Sequence, residues 1–400
     1  MDIELSIVMP CLNEAETLET CIRKAQTFLA KSGVSGEIVI GDNGSIDGSQ
    51  EIARRLGARV IDVPVRGYGA ALYWAIAASH GRFCIMGDSD DSYDFLNLEP
   101  FLNELRSGAD LVMGNRFRGG IAKGAMPWKN RYIGNPALSS IGRLLFRSPA
   151  KDFHCGIRGF SKDAFERMDL RTTGMEFASE MVIKATLMKM RISEVPTTLS
   201  PDGRSRPPHL RPFRDGWRHL RFMFLFSPNW LFFYPGLVLT LAGLLIGATL
   251  LAGPISVNGV RFGIHTLIYC STAIEIGVQA VLFSLLSRAY AVQEGLLPAR
   301  AGMARVLGAI TLERALLLGT LLFLIGLGLM FYAVGTWEHT GFGVLEADNL
   351  TRWVVLSSLT LSMGLQITLV GLLLSTLRLS VRPLLSPEAI RESLSRPPSA

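Results

Sequence analysis

Three aspartates stand within four positions at Asp88-Ser89-Asp90-Asp91, after the apolar run 83–86 and a glycine. A short apolar run bounded by turn residues reads as a buried strand, and ligands of open α/β sheets sit at the carboxyl ends of strands. Crowded carboxylates disfavour one another's ionisation unless a cation neutralises them. A hard divalent cation takes oxygen ligands and, with positions left open, also binds diphosphate oxygens. In an Asp-x-Asp spacing the first and third side chains either share one ion or divide between a metal and a ribose. An acidic turn with a solvated face is the plainer account, and the spacing alone does not separate the two.

The elements that must position these aspartates alternate. Residues 5–9 are a β-type run closed by Pro10. Asn13 and Glu14 then open a segment with apolar residues at Leu18, Cys21, Ile22, Ala25 and Leu29, the spacing of a helix. Residues 37–40 form a second strand, ending at Gly41-Asp42-Asn43-Gly44-Ser45, and Asp47 caps a helix through Leu56. A third strand at 59–63 precedes Gly67-Tyr68-Gly69 and a helix over 70–79, and the strand carrying the aspartates follows. Further strands are expected at 110–113, closed by Gly114-Asn115-Arg116, and at 192–195, with a helix over 177–190 between them. Strand and helix alternating at this pace predict βαβ units and a mostly parallel sheet.

Asp42 ends the second strand, where an acidic residue can meet a base edge or ribose hydroxyl as in dinucleotide folds. Asp42-Asn43-Gly44-Ser45 also has the composition of an ordinary turn. Gly67-Tyr68-Gly69 follows the third strand and lacks the third glycine of a dinucleotide fingerprint, which argues against a dehydrogenase.

Of the 400 residues 49% are apolar, too many for one ordinary soluble domain, and they are unevenly spread. Residues 1–220 are a normal soluble mixture, whereas long Leu, Gly, Ala and Phe runs dominate after Pro228. The net charge of +6 comes largely from arginine, clustered at 204–221 and between the apolar runs, which points to a membrane surface rather than nucleic acid. Five cysteines (Cys11, Cys21, Cys84, Cys155, Cys270) have neither zinc spacing nor a disulfide framework, as expected in a reducing cytoplasm. The start Met-Asp-Ile-Glu has no basic region and no long apolar core, so no cleavable signal is expected and the N-terminal domain should stay in the cytoplasm.

Arg204, Arg206, Arg211, Arg214, Arg218 and Arg221 are interleaved with Trp217, Leu220, Phe222 and Phe224, which from Pro212 onward is the pattern of an interfacial helix. Four apolar segments follow at about 230–252, 264–287, 314–335 and 353–377, each near the ~20 residues that cross hydrocarbon. Basic residues precede the first, lie between the second and third (Arg288, Arg300, Arg305) and follow the fourth (Arg378, Arg382). The other connections hold Arg261 alone, and Glu338, Glu346 and Asp348 with one arginine at the membrane edge. The positive-inside bias therefore predicts both termini in the cytoplasm. Glu275 and Gln279 lie one turn apart in the second segment, where they either organise a bundle interior or lipid passage, or lock helix packing. Gly326-Leu327-Gly328 and other small residues fit close helix contacts or a homo-oligomer.

The stretches 7–14 (Ile-Val-Met-Pro-Cys-Leu-Asn-Glu), 42–48 (Asp-Asn-Gly-Ser-Ile-Asp-Gly) and Asp88-Ser89-Asp90-Asp91 resemble, in order, the signatures of family 2 glycosyltransferases. Within that family the chain is similar to the polyprenyl-phosphate sugar transferases, such as dolichol-phosphate mannosyl- and glucosyltransferases. Gly67-Tyr68-Gly69-Ala70-Ala71, Gly114-Asn115-Arg116-Phe117 and the stretch 152–160 (Asp-Phe-His-Cys-Gly-Ile-Arg-Gly-Phe) continue the likeness. The likeness covers roughly 5–225 and implies an α/β nucleotide-diphospho-sugar transferase (GT-A, Rossmann-like) domain over 1–200; the residue pattern adds a basic amphipathic junction over 201–228, an α-helical membrane domain over 229–380 and a flexible cytoplasmic tail over 381–400.

It further implies that Pro10, Asn13, Glu14, Asp42, Gly67 and Asp88 cradle a nucleotide sugar. Asp88 and Asp90 would hold a divalent metal, Mg2+ or Mn2+, and Arg116 and Arg131 the phosphate of a lipid acceptor. Asp88, Asp90, Asp91, Arg116 and Arg131 would make up the catalytic set. Many relatives carry a metal-binding Gln where this chain has Ser92, so the third ligand is open.

The implied reaction is inverting transfer of a hexose from a UDP- or GDP-linked sugar to a polyisoprenyl phosphate at the cytoplasmic membrane face. The implied partners are the donor, the acceptor and membrane lipid, without nucleic acid. Two other readings compete with it. A processive polysaccharide synthase typically carries a Gln-x-x-Arg-Trp motif, and no glutamine here begins one. An inactive membrane scaffold would tend to have lost Asp42, Asp88 or Asp90, and all three are present.

Residues 117–151, rich in Gly, Lys and Arg with Trp128, read as a loop between sheet and apolar acceptor that could close over substrate. Arg158 and Glu176 are embedded in apolar sequence, as a buried ion pair or as catalytic residues; His154 is assigned no chemistry.

Overall fold

The computed structural model describes residues 3–205, 212–298, 301–339, 341–342 and 347–378. Met1–Leu231 with Ala291–Ala299 make one compact unit, and Phe232–Tyr290 with Arg300–Ala400 the other.

The first unit is a seven-stranded sheet with helices on both faces. In chain order its elements begin β1 (Leu5–Cys11), α1 (Leu18–Ser32), β2 (Gly36–Asp42), α2 (Ser49–Arg55), β3 (Arg59–Asp62), α3 (Tyr68–Ala78) and β4 (Phe83–Met86). There follow α4 (Glu99–Arg106), β5 (Leu111–Asn115), the single turn α5 (Arg116–Gly119), a π-helical turn (Asn130–Gly134) running into α6 (Asn135–Phe146), and β6 (Arg158–Ser161). The unit continues through α7 (Lys162–Met168), α8 (Glu176–Leu187), β7 (Ile192–Pro196) and α9 (Pro212–Leu225). The strand order is β3-β2-β1-β4-β6-β5-β7.

β1 is buried along its whole length, as a strand covered on both faces must be. Its period of two divides the core. Leu5, Ile7 and Met9 pack with Leu18, Ile22 and Phe28 of α1 on one face, while Val8 joins Leu72 and Ile76 of α3 on the other.

β1 pairs in parallel with β2 and β4, β2 with β3, and β5 with β7. The mostly parallel sheet is therefore present, with one exception that the sequence pattern does not announce. β6 lies antiparallel between β4 and β5. Its four residues, Arg158-Gly159-Phe160-Ser161, have no β-type alternation, and Arg158 is fully buried. That guanidinium is held by the carbonyls of Phe153, Cys155 and Ala178. Of the two readings left open for Arg158 and Glu176, the ion pair between them does not form: Glu176 accepts from Arg218 Nε at 3.0 Å. The stretch read as a loop over 117–151 is also partly helical. Leu138, Ile141 and Leu145 of α6 pack onto the core at helical spacing, a signal hidden by the polar residues around it.

The second unit begins with a π-helical turn (Asn229–Phe233, partly in the first unit) leading into α10 (Tyr234–Ala252). A small hairpin, β8 (Ile255–Val257) and β9 (Val260–Phe262), leads to α11 (Ile264–Gln293), then α12 (Ala301–Ala309), α13 (Leu312–His339) and α14 (Ala347–Leu377). Asn258 and Gly259 turn the hairpin with φ of 50° and 80°, the left-handed pair that a tight two-residue connection needs. Among the described residues, four helices are long and apolar enough to cross a membrane: Asn229–Ala252, Ile264–Gln293, Leu312–His339 and Leu350–Leu377.

Small residues let these helices approach. A Cβ at Gly319 of α13 would stand 2.7 Å from the carbonyl oxygen of Gly364 in α14. Glu275 is half-buried and Gln279 exposed on α11. Arg206, Arg211, Arg300, Glu346, Arg382 and the tail 381–400 lie outside the described residues.

Candidate active site

A cavity of about 1080 Å³ opens at the carboxyl edge of the sheet. The exits of β1, β2 and β4 contribute Pro10, Asn13, Glu14, Asn43, Asp88 and Asp90, and the start of α3 contributes Gly67 and Tyr68.

The exits of β1 and β2 are sewn together. Asn13 takes a left-handed φ of 57°, which aims its backbone N–H at Ser45 Oγ (2.9 Å) while its Oδ1 accepts from the N–H of Ile46 (2.8 Å). Asp42 is buried beneath Asn43 and Gly44. Its Oδ2 accepts from the N–H groups of Gly44 and Ser45 and from Gln50 Nε2, but its Oδ1 is buried without a hydrogen-bond partner among the described residues. A buried carboxylate oxygen left bare is costly, and an incoming N–H or hydroxyl would satisfy it.

Gly67, at φ 142°, donates its N–H to Asn43 Oδ1 at 2.6 Å. No side chain fits there, since a Cβ would lie 2.2 Å from the carbonyl oxygen of Thr173.

Asp88 sits deeper. Burial, and then the charge of Asp90, push its carboxyl up to about 6. Tyr68 donates its hydroxyl to Asp88 Oδ1 at 2.9 Å. Asp90 Oδ1 accepts from both the N–H (3.1 Å) and the Oγ–H (2.6 Å) of Ser92, so Ser92 orients Asp90.

Arg204, on the segment after β7, reaches into this acidic corner. It grips Glu14 with two bonds of 2.8 Å and stands 3.5 Å from Asp90 Oδ2. Sequence reasoning placed Arg204 with the basic junction. The signal that could have separated it is Pro201-Asp202-Gly203, a turn immediately before it. The cavity is also lined by Arg214 and Arg218, read from sequence as part of the basic junction, by Glu176, and by Arg66, Arg171 and Thr172, which sequence reasoning did not single out.

Four residues assigned a role from sequence are not among those lining the cavity, and one of them, Asp42, is buried at the exit of β2. Asp91 has φ 62° and turns its carboxylate away to Lys24 Nζ, 2.6 Å distant on α1. Arg116 is buried with both arms of its fork on Asp152, at 2.8 Å each, and its backbone N–H on the same carboxylate. Arg131 lies in the π-helical turn, over the ring of Tyr132 and near the carbonyl of Ile121. Local sequence did not reveal Asp152 as the partner of Arg116, 36 positions away.

Among the described residues no three His, Cys, Asp or Glu side chains are grouped to enclose a metal ion. Asp88 and Asp90 nonetheless fit one. They are hard oxygen donors, and of the two causes that raise Asp88, burial and then the charge of Asp90, the second is the kind a cation relieves. An ion held by one or two carboxylates, with diphosphate and water completing its shell, suits Mg2+ in particular.

The family model for glycosyl transferase family 2 matches residues 6–169, and that for the glycosyltransferase family 2 C-terminal transmembrane region matches 285–378. The low-salt glycan biosynthesis hexosyltransferase Agl6 of Haloferax volcanii is 37% identical over 376 residues, 93% of this chain and 89% of that protein. A dolichyl-phosphate hexose transferase of the same organism is 31% identical over 196 residues, 48% of this chain and 81% of the relative. Among solved structures, glucosyl-3-phosphoglycerate synthase of Mycobacterium tuberculosis with Mn2+, UDP-glucose and phosphoglyceric acid aligns at 23% identity. It covers 56% of this chain and 78% of the other, with a TM-score of 0.44.

Proposed function

This chain belongs to glycosyltransferase family 2 and is an integral membrane protein, and we propose that it transfers a hexose from a nucleotide sugar to a polyisoprenyl phosphate at the cytoplasmic face of the membrane. One observation carries the reading. A single cavity joins an acidic corner, Asp88 and Asp90, to a wall bearing Arg171, Arg214 and Arg218. The corner suits a cation and diphosphate, and the wall suits a second, anionic reactant. The likeness to the hexosyltransferase Agl6 supports hexose transfer, and the likeness to the dolichyl-phosphate hexose transferase supports a lipid-phosphate acceptor.

In this mechanism the nucleoside enters over Pro10, Asn13 and Asn43, at the exits of β1 and β2. Asp88 and Asp90 would hold a divalent metal, which when bound would neutralise charge on the leaving diphosphate. Arg204 adds a planar cation beside Asp90. The attacking atom is a phosphate oxygen already ionised near neutral pH, so no strong general base is needed. The cavity's arginine wall receives that phosphate, leaving Arg116 to brace Asp152. Direct attack at the anomeric carbon inverts its configuration. The bias of arginines toward the same side of the four spans supports a cytoplasmic site.

The test is a panel of radiolabelled nucleotide sugars incubated with membranes containing the protein. A solvent-extractable, acid-labile lipid-linked sugar from one donor supports the proposal, and label that enters only a polymer or nothing at all rejects it.

A further inference from the structure

Asp88 is fixed from two sides by groups that no motif reading assigned. The Tyr68 hydroxyl donates to Oδ1 at 2.9 Å. On the other side, a Cβ built on Gly156 would lie 2.6 Å from Oδ2, so that oxygen rests against bare backbone. The backbone there is itself anchored, because the Gly156 N–H donates to the Tyr93 hydroxyl at 2.8 Å. Tyr68 is equally constrained. It is the first residue of α3, directly after Gly67, whose N–H is tied to Asn43 and whose backbone closes on Thr173.

We propose that Tyr68 is a positioning residue for the metal site, its hydroxyl setting the rotation of the Asp88 carboxylate so that the remaining lone pairs face the cation and the diphosphate. The inference rests on the reading that Asp88 and Asp90 hold a divalent ion.

The physical reason is geometric. A carboxylate is free to rotate about its Cβ–Cγ bond, and Asp90 is already fixed by two bonds from Ser92. Without Tyr68, only Asp88 of the pair would have to be ordered when the ion arrives. Hydrogen-bond partners of metal ligands typically change metal affinity by about 10- to 100-fold when removed. Tyr68 also borders the cavity, so its ring can pack on substrate. That contribution is retained when only the hydroxyl is removed.

The experiment uses the full-length protein in detergent with Mn2+ as the probe. Free Mn2+ is read by electron paramagnetic resonance in the presence of saturating UDP or GDP. Nucleotide affinity is measured separately by calorimetry in chelator, and folding by thermal denaturation. Tyr68→Phe should weaken Mn2+ binding about 10- to 100-fold, with metal-free nucleotide affinity and melting temperature close to those of the parent. Gly156→Ala, which pushes on the opposite oxygen, should weaken Mn2+ in the same direction and decides the matter if Tyr68→Phe does not fold. Unchanged Mn2+ affinity in the folded variant overturns the role of Tyr68 while leaving the metal reading in place. A parent protein that binds no Mn2+ with either nucleotide overturns the metal reading itself, and the role of Tyr68 with it.

Discussion

Arg204 and Glu14 meet edge to edge, Nε on Oε2 and Nη2 on Oε1 at 2.8 Å each, although 190 positions separate them in the chain. The contact locks the segment after the last strand onto the exit of the first. Beside it, Ser205 bonds Glu16, and the N–H of Gly203 donates to the carbonyl of Asp90. The cavity's acidic corner is therefore closed by residues from both ends of the catalytic unit.

Breaking that pair should be felt in stability and in catalysis. Both side chains are largely buried, and removing one partner of a buried ion pair typically costs about 3–5 kcal/mol. Arg204→Ala should lower the melting temperature and raise the donor requirement. Arg204→Lys should recover only part of each, since an ammonium lacks the planar fork. Thermal denaturation and donor titration of the three proteins check this.

Asp90→Asn should remove most turnover with little change in melting temperature, and a chelator should do the same to the parent protein. If Asp90→Asn turns over near-normally in chelator, Asp88 and Asp90 are only a turn.

Arg116 and Arg218 should separate bracing from acceptor binding. Arg116→Ala strands the carboxylate of Asp152, which is fully buried, and should cost about 3–5 kcal/mol of stability. Arg218→Ala should leave the melting temperature and nucleotide affinity nearly intact while raising the lipid concentration needed for half-maximal transfer about tenfold or more. The reverse pattern, a stable Arg116→Ala protein with a raised lipid requirement, would return Arg116 to the acceptor phosphate.

The pH response follows from Asp88. Burial and the neighbouring Asp90 raise its carboxyl from 3.8 to about 6 in the folded protein. The folded state therefore takes up a proton before the unfolded chain does as pH falls. Its contribution to stability is fully present below about 4 and is lost as pH rises through about 6. Function has the opposite sign, because only the ionised carboxylate attracts a cation. Mn2+ affinity should decline about tenfold per pH unit below about 6. A flat affinity between about pH 5 and 7 would contradict the placement of the ion on Asp88.

Orientation is checked by single-cysteine labelling in sealed vesicles, on a background lacking the native cysteines. A cysteine at Glu338 should react from the outside and one at Glu294 only after permeabilisation. The reversed result would separate the catalytic unit from cytosolic nucleotide sugars and remove the proposed reaction.

The parts of this protein legible in its sequence are those governed by neighbours in the chain. The strand 83–86 is apolar because it is covered on both faces, and the aspartates after it mark its exit. The four apolar helices declare themselves by length, since each must satisfy its own backbone in lipid. Asn13, Gly67, Asp88 and Asp90 could be singled out because each stands at a strand end or helix start, and the cavity brings them together. What the chain could not disclose locally was which distant group would occupy each charge. Arg116 and Arg204 are both arginines near turns, yet one is spent on Asp152 and the other reaches Glu14 and Asp90. Asp91 and Asp90 are adjacent, but a left-handed φ at Asp91 sends its carboxylate to α1 instead of the cavity. A guanidinium or carboxylate is committed by whichever counter-charge the sheet order brings within about 3 Å, and that order, with β6 inserted antiparallel between β4 and β5, is decided by packing between segments far apart in the chain.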